Sequence, residues 1–260
     1  MKKIITLAGV SVANDALPRV SATEEERLLA SLPGLFFWLQ AGAQFQVDDA
    51  TLLERANGNQ LTGLTPFPQY LWTQGQFDNG APALVTPPDY PSNYAVPSNV
   101  RFALDRWTVA MVIEAGPIGA VGHIMRWPEA SEPPPQMRLR MGLDASGYFN
   151  VYRAIGESGY RIRATGNQWV EEPAIIVVGF SVERGLTIRV NGTEVSRAPD
   201  DKAPLDNGTF QLGSSGTHGA TTFKGKMGHF MGFNEDLTSP GNRGYVAALE
   251  SVLMDQYGIG

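Results

Sequence analysis

The chain has 260 residues, no cysteine and a formal net charge of -6, so it forms no disulfide, offers no thiolate to a metal and has no cysteine nucleophile. The acidic balance excludes a general nucleic-acid binder, which needs a basic excess to displace phosphate counterions, and no apolar run approaches the roughly 20 residues that span a bilayer. Glycine (29) and proline (18) are abundant, which suits a turn-rich β protein of a length that sandwiches reach as one unit.

The first residues, Met1-Lys-Lys-Ile-Ile-Thr-Leu-Ala-Gly-Val-Ser-Val-Ala13, have the lysines and short apolar stretch of a signal peptide. Thr6, Gly9 and Ser11 interrupt that stretch, so an N-terminal β-arm is the expectation. Ser21 with Glu24, and Thr23 with Glu26, match the capping-box pattern, and Glu24, Glu25 and Glu26 lie where the helix dipole favours negative charge. A short helix is therefore expected from about Thr23 to Leu32, ended by Pro33-Gly34. Arm and helix would occupy residues 1–34, and one larger domain residues 35–260.

Leu35-Phe-Phe-Trp-Leu39 reads as a buried strand. Residues 40–100 are poorly patterned, with turns at Asn57-Gly58 and Asn79-Gly80 and a Pro-rich connection from Thr86 to Pro97. Trp107 to Ile113 is apolar on both faces, the mark of a central strand. Further strands are expected at Gly122 to Trp127, at 136–143 and 147–154, and at 159–164. Ala174 to Val195 follows, with breaks at Glu183-Arg-Gly185 and Asn191-Gly192. Asn-Gly is the strongest short hairpin signal, and it centres a hairpin over 186–197. Strands at Thr209 to Leu212 and Thr222 to Phe233 precede a helix from about Gly241 to Tyr257. Tyr245, Leu249, Val252, Leu253 and Tyr257 form its stripe, and Gly258 caps it. The fold class predicted is all-β: an antiparallel jelly-roll β-sandwich with a short N-terminal helix and a C-terminal helix.

Four elements in this order resemble the concanavalin-A-like lectin/glucanase superfamily in its laminin-G-like branch. They are Trp107-Thr-Val-Ala-Met-Val, Ile188-Arg-Val-Asn-Gly, Phe210-Gln-Leu-Gly213, and Phe223 to Phe233 followed by Leu237-Thr238 and the helix ending at Gly258. Phe37-Trp38-Leu39-Gln-Ala41 is similar to the segment that opens many of these domains. The resemblance covers about 98–258, and 35–45 more loosely. It implies a jelly roll of two packed sheets. Members are often carbohydrate-binding or adhesive modules, phage tail and other virion domains among them.

The enzyme branch of that superfamily works through carboxylates at alternating strand positions, since glycoside hydrolysis needs two at a set separation. No Glu-x-Asp-x-x-Glu run exists here. Glu171 and Glu172 are adjacent and would face opposite ways in a strand. Asp48, Asp49 and Glu54 lie outside any alternating strand, and Glu129 and Glu132 sit in a Pro-rich loop, so these carboxylates read as solvated surface. The lyase branch pairs Gln and His two apart, and His123 lacks the Gln. His123, His218 and His229 are too scattered for a metal site and read as turn or face histidines. Asp200-Asp201 and Asp206-Asn207 would offer oxygens to Ca²⁺, but turns explain them without a metal. Residues 220–227 lack the first glycine and the final Ser/Thr of a phosphate loop. The sequons at Asn191 and Asn207 fall on hairpin turns.

One constellation remains. Arg138, Arg140, Arg153, Arg161 and Arg163 fall on neighbouring strands of an acidic protein. An odd-length loop with Gly147 in the left-handed conformation sets Leu139 opposite Val151, Met141 opposite Phe149, Arg140 opposite Asn150 and Arg138 opposite Tyr152, which leaves one face apolar. The other face carries Arg138, Arg140, Tyr148, Asn150 and Tyr152, with Arg161 and Arg163 adjacent. Guanidinium forks among aromatic rings suit an acidic glycan or a partner's carboxylates. Trp127 and Trp169 flank loops and suit either stacking on sugars or packing. The expected function is a non-enzymatic recognition or structural module without metal or cofactor. It would bind glycan or neighbouring subunits within an oligomer or larger assembly, with no nucleic acid and no membrane insertion. The setting expected for it is a virion or phage tail assembled in the host cytoplasm. The alternatives are a polysaccharide-degrading enzyme of the same superfamily, and a secreted bacterial lectin if the first 13 or 22 residues are removed.

Overall fold

The computed structural model describes residues 23–42, 46–48, 51–63, 71–87, 93–116, 122–128, 137–144, 146–155, 158–164, 171–199, 210–213 and 223–260. The expected N-terminal arm, His218, Trp169 and the Asp200 and Asp206 turns lie outside them. Among the described residues, the strands form two antiparallel sheets, and the all-β sandwich expected from the turn pattern is what folds.

The eight-stranded sheet is built around β8 (Arg106–Ala115), flanked by β13 (Ala174–Ser181) and β17 (Gly225–Phe233). Beyond β13 come β14 (Gly185–Val190) and β15 (Thr193–Ala198). On the other side β17 shares its free edge between β1 (Leu35–Gln40) and β6 (Pro82–Val85), and β5 (Thr73–Gln76) pairs with β6. β8 is apolar on both faces because each face meets a different core. Trp107, Val109, Met111 and Ile113 pack between the sheets, whereas Ala110 and Val112 pack outward. β13 divides in the same way, with Ile176, Val178 and Phe180 inside and Ile175 and Val177 outside.

The outward core is closed by two helices. Helix α1 (Glu24–Ala30) starts with the expected capping box, in which the Thr23 hydroxyl accepts from Glu26 N (3.2 Å) and Thr23 N donates to the Glu26 carboxylate (3.1 Å). Helix α2 (Arg243–Tyr257), entered through a 3-10 turn at Pro240–Asn242, buries Val246, Leu249, Val252, Leu253 and Tyr257. Tyr245, expected on that stripe, is 47% exposed and Val246 takes its place. Gly258 adopts the left-handed cap (φ 65). Tyr257 packs so closely on β17 that a Cβ at Gly228 would lie 2.3 Å from its hydroxyl oxygen. Only glycine allows that approach.

The nine-stranded sheet runs β12 (Ser158–Arg163), β11 (Phe149–Ile155), β10 (Met137–Leu143), β9 (Gly122–Pro128), β16 (Gln211–Gly213), β7 (Asn93–Ala95), β4 (Gln60–Gly63), β3 (Thr51–Leu53) and β2 (Gln46–Asp48). The span 40–100, unpatterned in the sequence, therefore holds six strands among its described residues. Each has three or four residues, too few for alternation to register. Glu54, expected at the solvated surface, is fully buried. Its carboxylate accepts from the backbone of Ala56, Asn57 and Asn59 and from the Asn59 side chain, all at 2.8–3.0 Å, and so organises the turn after β3.

At the β14–β15 hairpin both central residues have positive φ (Asn191 45, Gly192 80), as the Asn-Gly signal requires. Beside this hairpin, Arg189 reaches α2 and holds the buried Glu250 carboxylate through two 2.8 Å contacts. Removing one partner of such a pair leaves an uncompensated buried charge. Glu250→Ala is expected to cost about 3–5 kcal/mol, and Arg189→Leu with Glu250→Leu to recover most of it; urea midpoints of the three proteins measure both effects.

Candidate functional site

The two sheets differ in what lies over their outer faces. Helices cover that of the eight-stranded sheet. On the nine-stranded sheet the pairing lays out two lateral rows of polar residues. Partner by partner, the first row is Arg161, Tyr152, Arg140, Arg126 and Gln211, continued by Ala95 and Thr62. The second is Arg163, Asn150, Gly142 and His123. The row between them in sequence, Ile162, Val151, Met141, Met125, Leu212 and Tyr94, points into the core and is buried throughout.

The β10–β11 register differs from the expected one by two residues. Leu139 faces Arg153, Arg140 faces Tyr152, Met141 faces Val151 and Leu143 faces Phe149. The loop has an odd length and Gly147 is left-handed (φ 78), as anticipated, but Asp144 closes it. Asp144 N donates to Tyr148 O (2.9 Å), and the Asp144 carboxylate accepts from Ser146 N (3.0 Å) and Tyr148 N (3.1 Å). An aspartate that bonds its own turn fixes the loop one residue later than hydrophobic matching alone would. A shift of two preserves which face each side chain takes.

Of the seven expected site residues, the structure brings Arg140, Tyr148, Asn150, Tyr152 and Arg163 onto this face. Arg138 and Arg161 belong to β10 and β12, with side chains outside the described residues. The Arg140 guanidinium stacks on Tyr152 and that of Arg163 on Tyr148, each 4.3 Å from the ring centroid. Such contacts orient the cations more than they stabilise the fold, being worth about 0.5–1 kcal/mol at exposed sites. Arg163 is also committed to an ion pair with Asp144 (Nε to Oδ2, 3.1 Å). Burial opposes ionisation of the Asp144 carboxyl, but Arg163 and the two backbone N–H groups outweigh it and hold the carboxyl below its usual range.

Two residues of the face were not singled out from the sequence. Arg126, on β9, sits directly opposite Arg140 and donates through Nε to Gln211 (2.9 Å). Like charges at opposed positions repel unless an anion lies near. His123 is 4% exposed, and neither ring nitrogen has a hydrogen-bond partner among the described residues. It was expected on a turn or open face. Burial, then Arg140 and Arg126, push its pKa down to about 4. Alternation gave no clear signal, because Ile124 and Met125 are consecutive and both in the core where the β9–β10 register shifts.

His229 also lies in the interior. Its Nδ1 accepts from Trp38 Nε1 (2.9 Å), Tyr257 meets it edge-on, and it lines a cleft of ≈ 370 Å³ between α1 and α2 with Gln256 beside it. Burial above all, with Arg55 nearby, lowers its pKa to about 3. No group of three or more His, Asp or Glu among the described residues converges to hold a metal ion, and no helix among them is long and apolar enough to cross a membrane.

No family profile and no curated protein matches the chain. Solved structures do. The chain is similar to Trypanosoma rangeli sialidase in complex with sialic acid, with TM-score 0.61, 15% identity, and 91% of this chain against 38% of that one. It is similar to botulinum neurotoxin type C, studied for a cell entry that depends on two ganglioside molecules (TM-score 0.58, 9% identity, 83% of this chain and 51% of that one). It is also similar to the binding domain of botulinum neurotoxin DC in complex with rat synaptotagmin II (TM-score 0.55, 9% identity, 83% and 52%). The chain thus spans between a third and about half of these proteins, and at such identities the likeness shows the fold. The expectation that the chain is not an enzyme is overturned as a deduction from fold and motif. The same fold occurs within sialidase chains, so a missing Glu-x-Asp-x-x-Glu run does not exclude catalysis.

The two buried histidines make stability depend on pH. Unfolded, each binds a proton near its ordinary value of 6.5; folded, each resists protonation until about 4 and about 3. The unfolded state therefore holds more protons below 6.5, so stability is complete above that pH and declines as pH falls toward the folded values. His123 alone is expected to cost about 2–3 kcal/mol by about pH 4.5. Urea unfolding between about pH 7 and about pH 4.5 should show this loss, and His123→Phe should remove roughly half of the slope.

Proposed function

We propose that the outer face of the nine-stranded sheet recognises a glycan, and that its arginines favour acidic sugars. The observation that carries this reading is the lateral row in which Arg140 faces Arg126 and stacks on Tyr152, in a protein of net charge -6. Oriented guanidinium forks beside an aromatic ring match an anionic sugar's carboxylate and its apolar ring face. The solved neighbours support the reading, since one is a complex with sialic acid and another depends on gangliosides for cell entry. The synaptotagmin complex of a third favours a second reading, in which the same cations meet carboxylates of a protein partner. A virion or phage-tail setting rests on the sequence resemblance alone.

Arg126→Ala with Arg140→Ala is expected to weaken binding to acidic glycans at least about tenfold and to flatten its dependence on salt. A glycan array followed by calorimetry at two ionic strengths reads both. Unchanged affinity in the folded double variant, or binding confined to neutral glycans, rejects the reading.

A further inference from the structure

Four Asn-Gly pairs punctuate the chain, and one of them, Asn207-Gly208, lies outside the described residues. The pair suits turns because glycine takes positive φ without strain, as at Gly58, Gly80 and Gly192 (φ 72, 84 and 80). The same bare glycine leaves its own amide nitrogen unshielded beside the asparagine side chain. Attack of that nitrogen on the side-chain carbonyl carbon needs two freedoms: an N–H not held by an acceptor, and a side-chain amide able to turn toward it.

The three described pairs differ in both. At Asn79 the Gly80 N–H donates to Phe77 O (2.9 Å), Oδ1 accepts from Ala81 N (3.0 Å) and Nδ2 donates to Gln256 O (3.2 Å). At Asn191, Oδ1 accepts from Ile175 N (2.8 Å), and Gly192 packs against α2, where an added Cβ would lie 3.1 Å from Met254 Cε. Asn57 and Gly58 are both exposed, and an added Cβ at Gly58 would meet nothing within 4 Å. The Gly58 N–H makes no hydrogen bond among the described residues, and the Asn57 side chain keeps one tie, from Nδ2 to Phe36 O (2.7 Å).

We propose that Asn57 is a site of spontaneous deamidation in the folded protein. The Gly58 nitrogen gives up its proton and bonds to Asn57 Cγ, the Cγ–Nδ2 bond breaks, and Nδ2 leaves as ammonia with a proton returned from solvent. Water then opens the cyclic imide. Attack at the side-chain carbonyl gives aspartate, and attack at the main-chain carbonyl gives isoaspartate.

The position gives the reaction a consequence. The turn after β3 satisfies the buried Glu54 carboxylate, whose Oε1 accepts from both Asn57 N and Asn59 N. It also ties the nine-stranded sheet to β1, through Arg55 N to Trp38 O (2.7 Å) and Asn57 Nδ2 to Phe36 O. Both products replace Nδ2 with an anionic oxygen, which cannot donate to the Phe36 carbonyl and adds a carboxylate to the turn that buries Glu54. Isoaspartate also lengthens the main chain by a methylene carbon between the two N–H groups that Glu54 Oε1 accepts. Deamidation thus loosens the join between the sheets as the protein ages.

The test holds the full chain in mildly alkaline buffer, folded and in urea. The peptides containing Asn57, Asn79 and Asn191 are followed by mass spectrometry with fragmentation that separates aspartate from isoaspartate. In the folded chain Asn57 is expected to convert at least about tenfold faster than Asn79 or Asn191, because the hydrogen bonds those two must break raise the barrier. In urea the three, all followed by glycine, are expected to convert at closely similar rates. Hydrogen exchange from Leu52 to Leu61 is expected to quicken about tenfold in the aged protein and in Asn57→Asp. Conversion at Asn79 or Asn191 as fast as at Asn57 in the folded chain, or none at Asn57, overturns the site. The same tenfold ordering in urea overturns its structural cause, and conversion with unchanged exchange overturns the loosening. If Asn57→Asp fails to fold, the aged wild type supplies the exchange measurement.

Discussion

The constraint on which the rest depends is that one sheet has to bury both of its faces. β8, β13 and β17 carry runs of seven buried residues, most of them apolar, and each fully buried large apolar side chain contributes about 1.5–3 kcal/mol only if water is excluded from its side of the sheet. The nine-stranded sheet excludes it from one side, and α1 and α2 from the other. That solution sets the division of labour in the molecule. The helices close the outward core, and alternation is left to present polar side chains on the far face of the other sheet.

On that far face Arg140 stands opposite Arg126 across the ladder, and His123 lies buried without hydrogen bonds among the described residues. By contrast Glu54, Asp144, Asp236 and Glu250, all buried carboxylates, are each satisfied by backbone N–H groups, hydroxyls or arginine. The buried polar atoms left without a hydrogen-bond partner among the described residues are instead neutral ones, on Trp72, His123, Thr187 and His229 among others.

Much of the architecture was legible because it is local. The apolar run from Trp107 to Ile113 announced a central strand, Asn191-Gly192 its hairpin, and Thr23 with Glu26 the helix start. The faces of β10 and β11 were legible because alternation needs only parity. The register was not, since a slip of two residues leaves the same side chains facing the core and hydrophobic matching cannot separate the two pairings. The deciding group was the Asp144 carboxylate, an Asp-x-x-Gly turn signal present in the sequence. Arg126 and His123 join the face only through the pairing of β9 with β10, and the stretch between those strands holds Pro133, Pro134 and Pro135 and gives no local clue to it. The strands of residues 40–100 exist because longer neighbours supply their ladders, and Glu250 reads as a surface acid until Arg189 is placed beside it.

The position of β17 late in the chain has a consequence for how the molecule comes to be made. This strand is hydrogen-bonded to β1, β6 and β8, so a segment from residues 225–233 is inserted between partners synthesised far earlier. On a ribosome, Leu35 to Gln40 and Arg106 to Ala115 emerge with sticky edges that nothing yet covers. Contacts of such separation in sequence form slowly, and exposed edges invite association with other chains. Nascent polypeptide of this protein therefore has to be shielded until β17 has left the exit tunnel, and consolidation of the sandwich waits for that late strand.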